Sequence, residues 1–275
     1  MVFLIDSIYI LSLEHDKPRR QRLLNLIKNE RNKSLINKTK IVKGIYHPQI
    51  NDNFLKANKL DYYRNWKLTK EESDKVVSKY GKGNAIHSCQ KFYCEKLKKG
   101  QIASLIGHIE CWKQMVLNND EYALIFEDDA WWPPESCLSS TLDKFFSLNP
   151  DFDIFYLGRN ALLEELEEDS DVDPEYVIPK YSYNNQSYVF SRKATLKVLA
   201  QDPHKNLMSS DEFLPACYDN HPRKDIRKLF KKCLKKPLAL RAQDGLAWQM
   251  NTPEIAKEQG ITWSNIDDSK ALNVN

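Results

Sequence analysis

No apolar stretch in this 275-residue chain approaches the roughly 20 residues needed to cross a bilayer, so nothing reads as a membrane span. The opening "MVFLIDSIYILSLEHD" is apolar, but it carries Asp6, lacks a basic leader and runs straight into polar sequence. It reads as a first strand and not as a signal peptide, and the expectation is a soluble, cytoplasmic protein. CxxC spacing is absent too. The six cysteines stand at 89, 94, 111, 137, 217 and 233, with Cys89 and Cys94 the nearest pair. That pattern argues against a structural zinc site or a disulfide framework and fits reduced thiols. Nor does one sign of charge dominate: 41 Lys+Arg against 38 Asp+Glu leave a net +3. Whole-protein charge therefore gives no case for a nucleic-acid or membrane partner. Internal repeats and low-complexity tracts are missing as well.

What is present is enough apolar sequence for a core, at 41% hydrophobic and 11% aromatic residues. "SIYILSL" (7–13) alternates as a β-strand does, and "KPRRQRLLNLIKNE" (17–30) spaces Leu23, Leu24 and Ile27 as a helix. "TKIVKGIY" (39–46) reads as a second strand. "QIASLIGHIECWKQMVLN" (101–118) sets Ile102, Leu105, Ile109, Trp112 and Val116 on one helical face. The strand "YALIF" (122–126), a helix near 136–149 and the strand "FDIFYLG" (152–158) follow. Alternation of this kind predicts an α/β fold with a mostly parallel central sheet flanked by helices. The expected organisation is one domain, 1–275, with a polar surface insertion at about 47–100. Residues 165–175 form an acidic loop: a solvated connection, or a flap that attracts a basic acceptor. "RKDIRKLFKKCLKK" (223–236) reads as a helix packing an apolar stripe among solvated charges; contact with a phosphate-bearing or membrane-surface partner is the sharper reading.

The strand "YALIF" ends on Glu127, Asp128 and Asp129, three adjacent carboxylates that repel unless positive charge is supplied. Solvent and nearby lysines could spread that charge, or a divalent cation could sit on it. Ligands of open α/β sheets lie beyond the carboxyl ends of strands, and oxygen donors suit a hard ion such as Mg²⁺ or Mn²⁺. Such an ion would stabilise a departing diphosphate. By itself an "EDD" more often caps a helix or lines a turn. In "SSDEFLP" (209–215), Asp211 and Glu212 are candidates to take a proton from an attacking hydroxyl, or else a helix cap. "AQDGLAW" (242–248) offers Asp244 as a turn acid or a second metal ligand. His108, on a mainly apolar helix, reads as a hydrogen-bonded core histidine.

Together "YILSLEHDKPRRQRL", "KGQIASLIGHIECW", "ALIFEDDA", "FDIFYLGR", "YVFSRKATLKVL" and "DEFLP" resemble, in order, glycosyltransferase family 25, whose bacterial members build lipooligosaccharide. The resemblance runs from about residue 7 to 250. "FYLGR", "YSYNNQSYVFS" and "SSDEFLPACYDNHP" look most like the animal procollagen galactosyltransferases, which place β-galactose on hydroxylysine. The resemblance implies a GT-A-type, inverting transferase with UDP-galactose as donor, Mn²⁺ as cofactor (Mg²⁺ as the alternative) and hydroxylysine-bearing collagen-like protein as acceptor. Carried over by position, Asp129 contacts the metal, with Glu127 or Asp128 near the ribose or the metal's water shell. Asp211 is the base with Glu212 as fallback, and Gln243 and Asp244 supply a late metal or diphosphate contact. Leu11, Ser12 and Arg19 resemble the uridine edge. Relatives carry an acidic "VDG" where this chain has "VKG" at 42–44, so Lys43 departs from one nucleotide contact. A homodimer is compatible with the sequence, no nucleic-acid partner is expected, and the lysine- and asparagine-rich composition suits a microbial or giant-virus member. A glycan acceptor and an inactive sugar-binding scaffold are the competing readings.

Overall fold

The computed structural model describes residues 4–133, 136–242, 245–246 and 248–249. Its strands are β1 (Ser7–Ser12), β2 (Thr39–Lys43), β3 (Tyr122–Glu127), β4 (Ala130–Trp131), β5 (Ile154–Ala161), β6 (Glu168–Asp169), β7 (Tyr176–Ile178), β8 (Ser182–Ser191), β9 (Pro237–Leu240) and β10 (Trp248–Gln249). The helices are α1 (Lys17–Asn29), α2 (Ser34–Asn37), α3 (Asp52–Ala57), α4 (Lys70–Val77), α5 (Cys89–Cys94), α6 (Lys99–Leu117), α7 (Leu138–Ser147), α8 (Arg192–Leu199), α9 (Ser210–Tyr218) and α10 (Lys224–Leu229). Eight strands form one sheet in the order β2-β1-β3-β8-β5-β9-β7-β6, and β10 pairs with β4 beside it. From the pairings, β1, β2, β3, β5, β6 and β9 run one way and β7 and β8 the other. The fold is thus the expected α/β architecture, with most strands in one direction.

Strand β1 is buried along its whole length, as a strand covered on both faces must be. Its side chains alternate: Ile8 and Ile10 join Leu124, Phe126, Leu23 and Phe145 on one face, while Tyr9 and Leu11 join Ile125, Ile109 and Trp112 on the other. Helices α1 and α7 cover the first face; α6 and α9 cover the second. Helix α6 lies close to β1, because a Cβ at Gly107 would stand 2.5 Å from Leu11 Cδ1. We expect Gly107→Ala to lower stability by about 1–3 kcal/mol through overpacking, read as a lower urea midpoint at unchanged slope.

Two expected segments differ. Residues 47–100 are not a purely surface insertion: Ile50, Leu55, Tyr62, Trp66, Ile86 and Tyr93 lie in the larger core. Their signal is hidden because the segment folds as short capped helices, with an Asn51 cap on α3 and a Thr69–Glu72 capping box on α4, too short to display a period. The helix expected over 223–236 stops at Leu229. Beyond it the backbone N–H of Leu234 donates to the Cys217 carbonyl, and those of Lys235 and Lys236 donate to the Asp153 carboxylate. Pro237 also disfavours helical geometry at the residue before it.

The acidic loop spends several charges internally. Glu167 takes both Nη atoms of the buried Arg159 at 2.6 and 2.7 Å, Glu168 pairs with Lys180, and Asp169 with Arg241. Its attraction for a basic acceptor is correspondingly reduced.

Candidate active site

The carboxyl ends of β1, β2 and β3 open into a cleft with a cavity volume of about 160 Å³. Its lining includes Leu11, Ser12, Arg19 and Gly44, the acids Glu127, Asp128 and Asp129, and Gln101, Ser104, Asn184, Asn185, Ser210 and Asp211. This is where an open α/β sheet binds its ligands.

The positive charge that the acidic run requires comes from within the chain. Arg19, in the first turn of α1, places Nη2 2.9 Å from Asp128 Oδ1 and 3.0 Å from Asp129 Oδ2. All three side chains are less than a tenth exposed. Burial works against the guanidinium's charge, but Asp129, Asp128 and Asp16 outweigh it and raise its pKa. Burial pushes the Asp128 carboxyl up to about 7, although Arg19 opposes the shift. Arg22, one helical turn further along, donates to the carbonyls of Asp128 (3.0 Å) and Ala130 (2.7 Å), and so fixes the backbone that presents the two acids. Burial lowers its pKa to about 10.

Glu127 is held differently. His108 Nε2 lies 2.9 Å from its Oε1 and Ser104 Oγ donates from 3.3 Å. His108 Nδ1 meets the Tyr188 hydroxyl at 2.9 Å, and that hydroxyl accepts from Trp112 Nε1 at 3.0 Å. With Trp112 donating, the Tyr188 proton goes to Nδ1 and the Nε2–H points at Glu127, which satisfies every group in the buried row. Burial raises the Glu127 pKa, yet the hydrogen bonds from His108 and Ser104 and the Arg19 charge bring it below the usual range.

Asp211 and Glu212 are adjacent on α9, about 100° apart around the helix, so they face different surroundings. Asp211 faces the cleft. Its Oδ1 accepts from the backbone N–H of Asn184 (3.0 Å) and Asn185 (3.2 Å) and from Asn185 Nδ2 (3.0 Å). Asn184 has φ of 69°, a left-handed conformation that asparagine tolerates and that turns its N–H toward the acid. Burial first, then the Glu127 charge, push Asp211 up to about 7 against the Asn185 hydrogen bond. Glu212, the fallback base, is fully buried away from the cleft. Its Oε1 accepts from Tyr181 and Tyr183, and its Oε2 from His221, each at 2.7 Å. These contacts are those of a buried anchor and leave Asp211 as the acid that faces the cleft.

Leu11, Ser12, Arg19, Glu127, Asp128, Asp129 and Asp211 thus gather around one cleft. Gln243 and Asp244 lie outside the described residues. Lys43 pairs with Glu14 on the surface. Sequence reasoning missed Ser104, Gln101, Asn184 and Asn185; His108 is the buried, hydrogen-bonded histidine expected, and one of its partners is the cleft acid Glu127.

Among the described residues no group of three or more His, Cys, Asp or Glu could by itself hold a metal ion. Mn²⁺ or Mg²⁺, however, often sits on one or two carboxylates with phosphate oxygens and water completing its shell. The hard oxygen donors of Asp128 and Asp129 suit that kind of site.

A mostly one-directional sheet between helices, with an acid-lined cleft at its carboxyl edge, is a GT-A-like glycosyltransferase fold. The family model described as "Glycosyltransferase family 25 (LPS biosynthesis protein)" matches residues 81–214, and the chain belongs to glycosyltransferase family 25. It is 32% identical over 186 residues to a "Glycosyltransferase 25 family member" of Drosophila pseudoobscura pseudoobscura, covering 66% of this chain and 28% of that protein. It is 24% identical over 228 residues to "Procollagen galactosyltransferase 1-A" of Xenopus laevis, covering 82% and 33%. Against the human "Inactive glycosyltransferase 25 family member 3" it is 29% identical over 138 residues, covering 49% and 23%. The chain therefore spans about a third or less of these curated relatives' lengths.

Proposed function

We propose that the protein transfers galactose from UDP-galactose to hydroxylysine of collagen-like protein, with inversion and with a divalent cation, Mn²⁺ or Mg²⁺. The observation that carries the reading is the meeting in one cleft of a proton acceptor on α9, Asp211, and an acidic pair after β3, Asp128–Asp129. The likeness to a procollagen galactosyltransferase supports the donor and acceptor.

In this mechanism Asp211 takes the proton from the acceptor hydroxyl as its oxygen bonds to the anomeric carbon. The bond to UDP breaks on the opposite face, and UDP leaves with the bonding pair. Asn184 and Asn185 hold the carboxylate in place. Asp129 and Asp128 would hold the divalent cation, whose chemistry there would be to neutralise charge on the leaving diphosphate. Gly44 and Ser12 shape the nucleotide side of the cleft.

The base is active when deprotonated, so with Asp211 near 7 the rate falls as pH drops through about 7. We expect an acid limb there in kcat/KM, displaced or lost in Asp211→Asn; a profile flat down to about pH 5 would refute the base.

The direct test is UDP release from a panel of UDP-sugars, with Mn²⁺ or EDTA and with a hydroxylysine peptide or glycan acceptors. Metal-dependent turnover of UDP-galactose stimulated by hydroxylysine is the expected result. Stimulation by glycans alone would favour the acceptor class suggested by the family's "LPS biosynthesis" description. No turnover with any donor would favour a sugar-binding scaffold, a reading the match to an inactive relative motivates.

A further inference from the structure

We infer that Arg19 is a resident counter-ion for the acidic pair, displaced when a divalent cation binds and then free to hold an oxygen of the donor's diphosphate. This rests on the reading above, in which the cleft takes a nucleotide sugar together with a divalent cation.

The geometry is specific. A single nitrogen, Arg19 Nη2, contacts both Asp128 Oδ1 (2.9 Å) and Asp129 Oδ2 (3.0 Å), so one positive group serves both carboxylates that would hold a cation. Both acids are held from behind through the backbone: Arg22 fixes the carbonyls of Asp128 and Ala130, and the Asp128 N–H donates to the Leu11 carbonyl at 3.1 Å. The acids are therefore preorganised whether or not Arg19 stays. Arg19 is not: it sits on a long side chain at the start of α1, lines the cleft, and is linked to the acids by ion pairs. Asp16 is a looser partner at 3.8 Å, and the Glu127 charge also acts on the guanidinium.

Two consequences follow with opposite signs. Without nucleotide, a cation must expel the guanidinium from the two carboxylates it contacts most closely among the described residues, so metal alone binds weakly. With nucleotide, the guanidinium gains a diphosphate oxygen, a pairing its planar fork favours, so its departure is compensated. Arg19 thereby opposes metal binding and promotes nucleotide binding, which couples the two ligands.

The test is to measure Mn²⁺ affinity without nucleotide, and UDP affinity at saturating Mn²⁺, for the wild type, Arg19→Met and Arg19→Lys, at mildly alkaline pH, with circular dichroism as the folding control. Arg19→Met is expected to tighten Mn²⁺ binding about tenfold and weaken UDP binding about tenfold. Arg19→Lys keeps the charge without the fork and should shift both in the same directions by less, which preserves the test if the methionine variant does not fold. If both affinities fall or stay unchanged in folded variants, Arg19 is structural and the inference is wrong, while Mn²⁺ binding by the wild type with UDP present would keep the metal reading. If the wild type binds no Mn²⁺ even with saturating UDP, the metal reading and this inference fall together.

Discussion

Asp211→Asn is expected to lower sugar transfer by about 10²–10⁴-fold while leaving UDP-sugar binding within a few-fold of wild type. The substitution is nearly isosteric. The amide oxygen can keep the acceptor position now used by the N–H groups of Asn184 and Asn185 and by Asn185 Nδ2, so the local fold survives. What disappears is the ability to take a proton. A second readout separates this from a binding role. In the folded protein Asp211 titrates near 7, above its ordinary 3.8, so the folded state binds the proton more tightly than the unfolded state. Its ionisation therefore destabilises the fold progressively as pH rises from about 4 through 7. Asparagine carries no such charge, so the variant's melting temperature should gain on the wild type more at pH 8 than at pH 5. A variant that loses donor affinity along with turnover would make Asp211 a binding group, and a stability difference independent of pH would contradict its buried, proton-retaining environment.

The alternation of elements was legible in the sequence because β1 and β3 are buried on both faces and α6 is long: continuous apolar runs and a sustained 3.6-residue period survive without context. The cleft acids were legible for a related reason, since a charge run directly after an apolar strand sits at a predictable sheet edge. The central antiparallel strand β8 was not drawn as a strand. Its early residues, Ser182 to Gln186, are polar and include the left-handed Asn184, and their value lies in contacts made across the chain to α9. Arg19 was placed near the site but in a different role, because the partners of a charged side chain depend on which loop folds over it. In the same way, no one-dimensional signal distinguishes Asp211 from Glu212. Both fit a helix start, and only the packing of α9 decides which one sees the cleft.

Glu212→Ala should produce the largest loss of stability of any substitution considered, about 3–5 kcal/mol. The carboxylate is fully buried and receives three donors: Tyr181 and Tyr183 at Oε1 and His221 at Oε2, each at 2.7 Å. His221 cannot turn its other nitrogen to the task, because Nδ1 already accepts from the Arg223 backbone N–H at 3.1 Å. Tyr93 adds its hydroxyl behind Tyr181 at 2.7 Å, and the Arg223 guanidinium packs over the Tyr93 and Trp66 rings while bonding the Trp66 carbonyl at 2.6 Å. Alanine would leave the three donors unsatisfied in a dry interior and open a void. Glutamine would do less damage, about 1–3 kcal/mol, because it keeps one oxygen for the tyrosines but sets an N–H₂ against the His221 N–H. Urea midpoints of the two variants, with kcat measured on the protein that remains folded at low temperature, check this. A stable Glu212→Gln with kcat reduced as far as in Asp211→Asn would restore Glu212 as the base. A less stable enzyme whose folded fraction still turns over would mark it as the anchor that holds α9, and with it Asp211, against Tyr181, Tyr183 and His221.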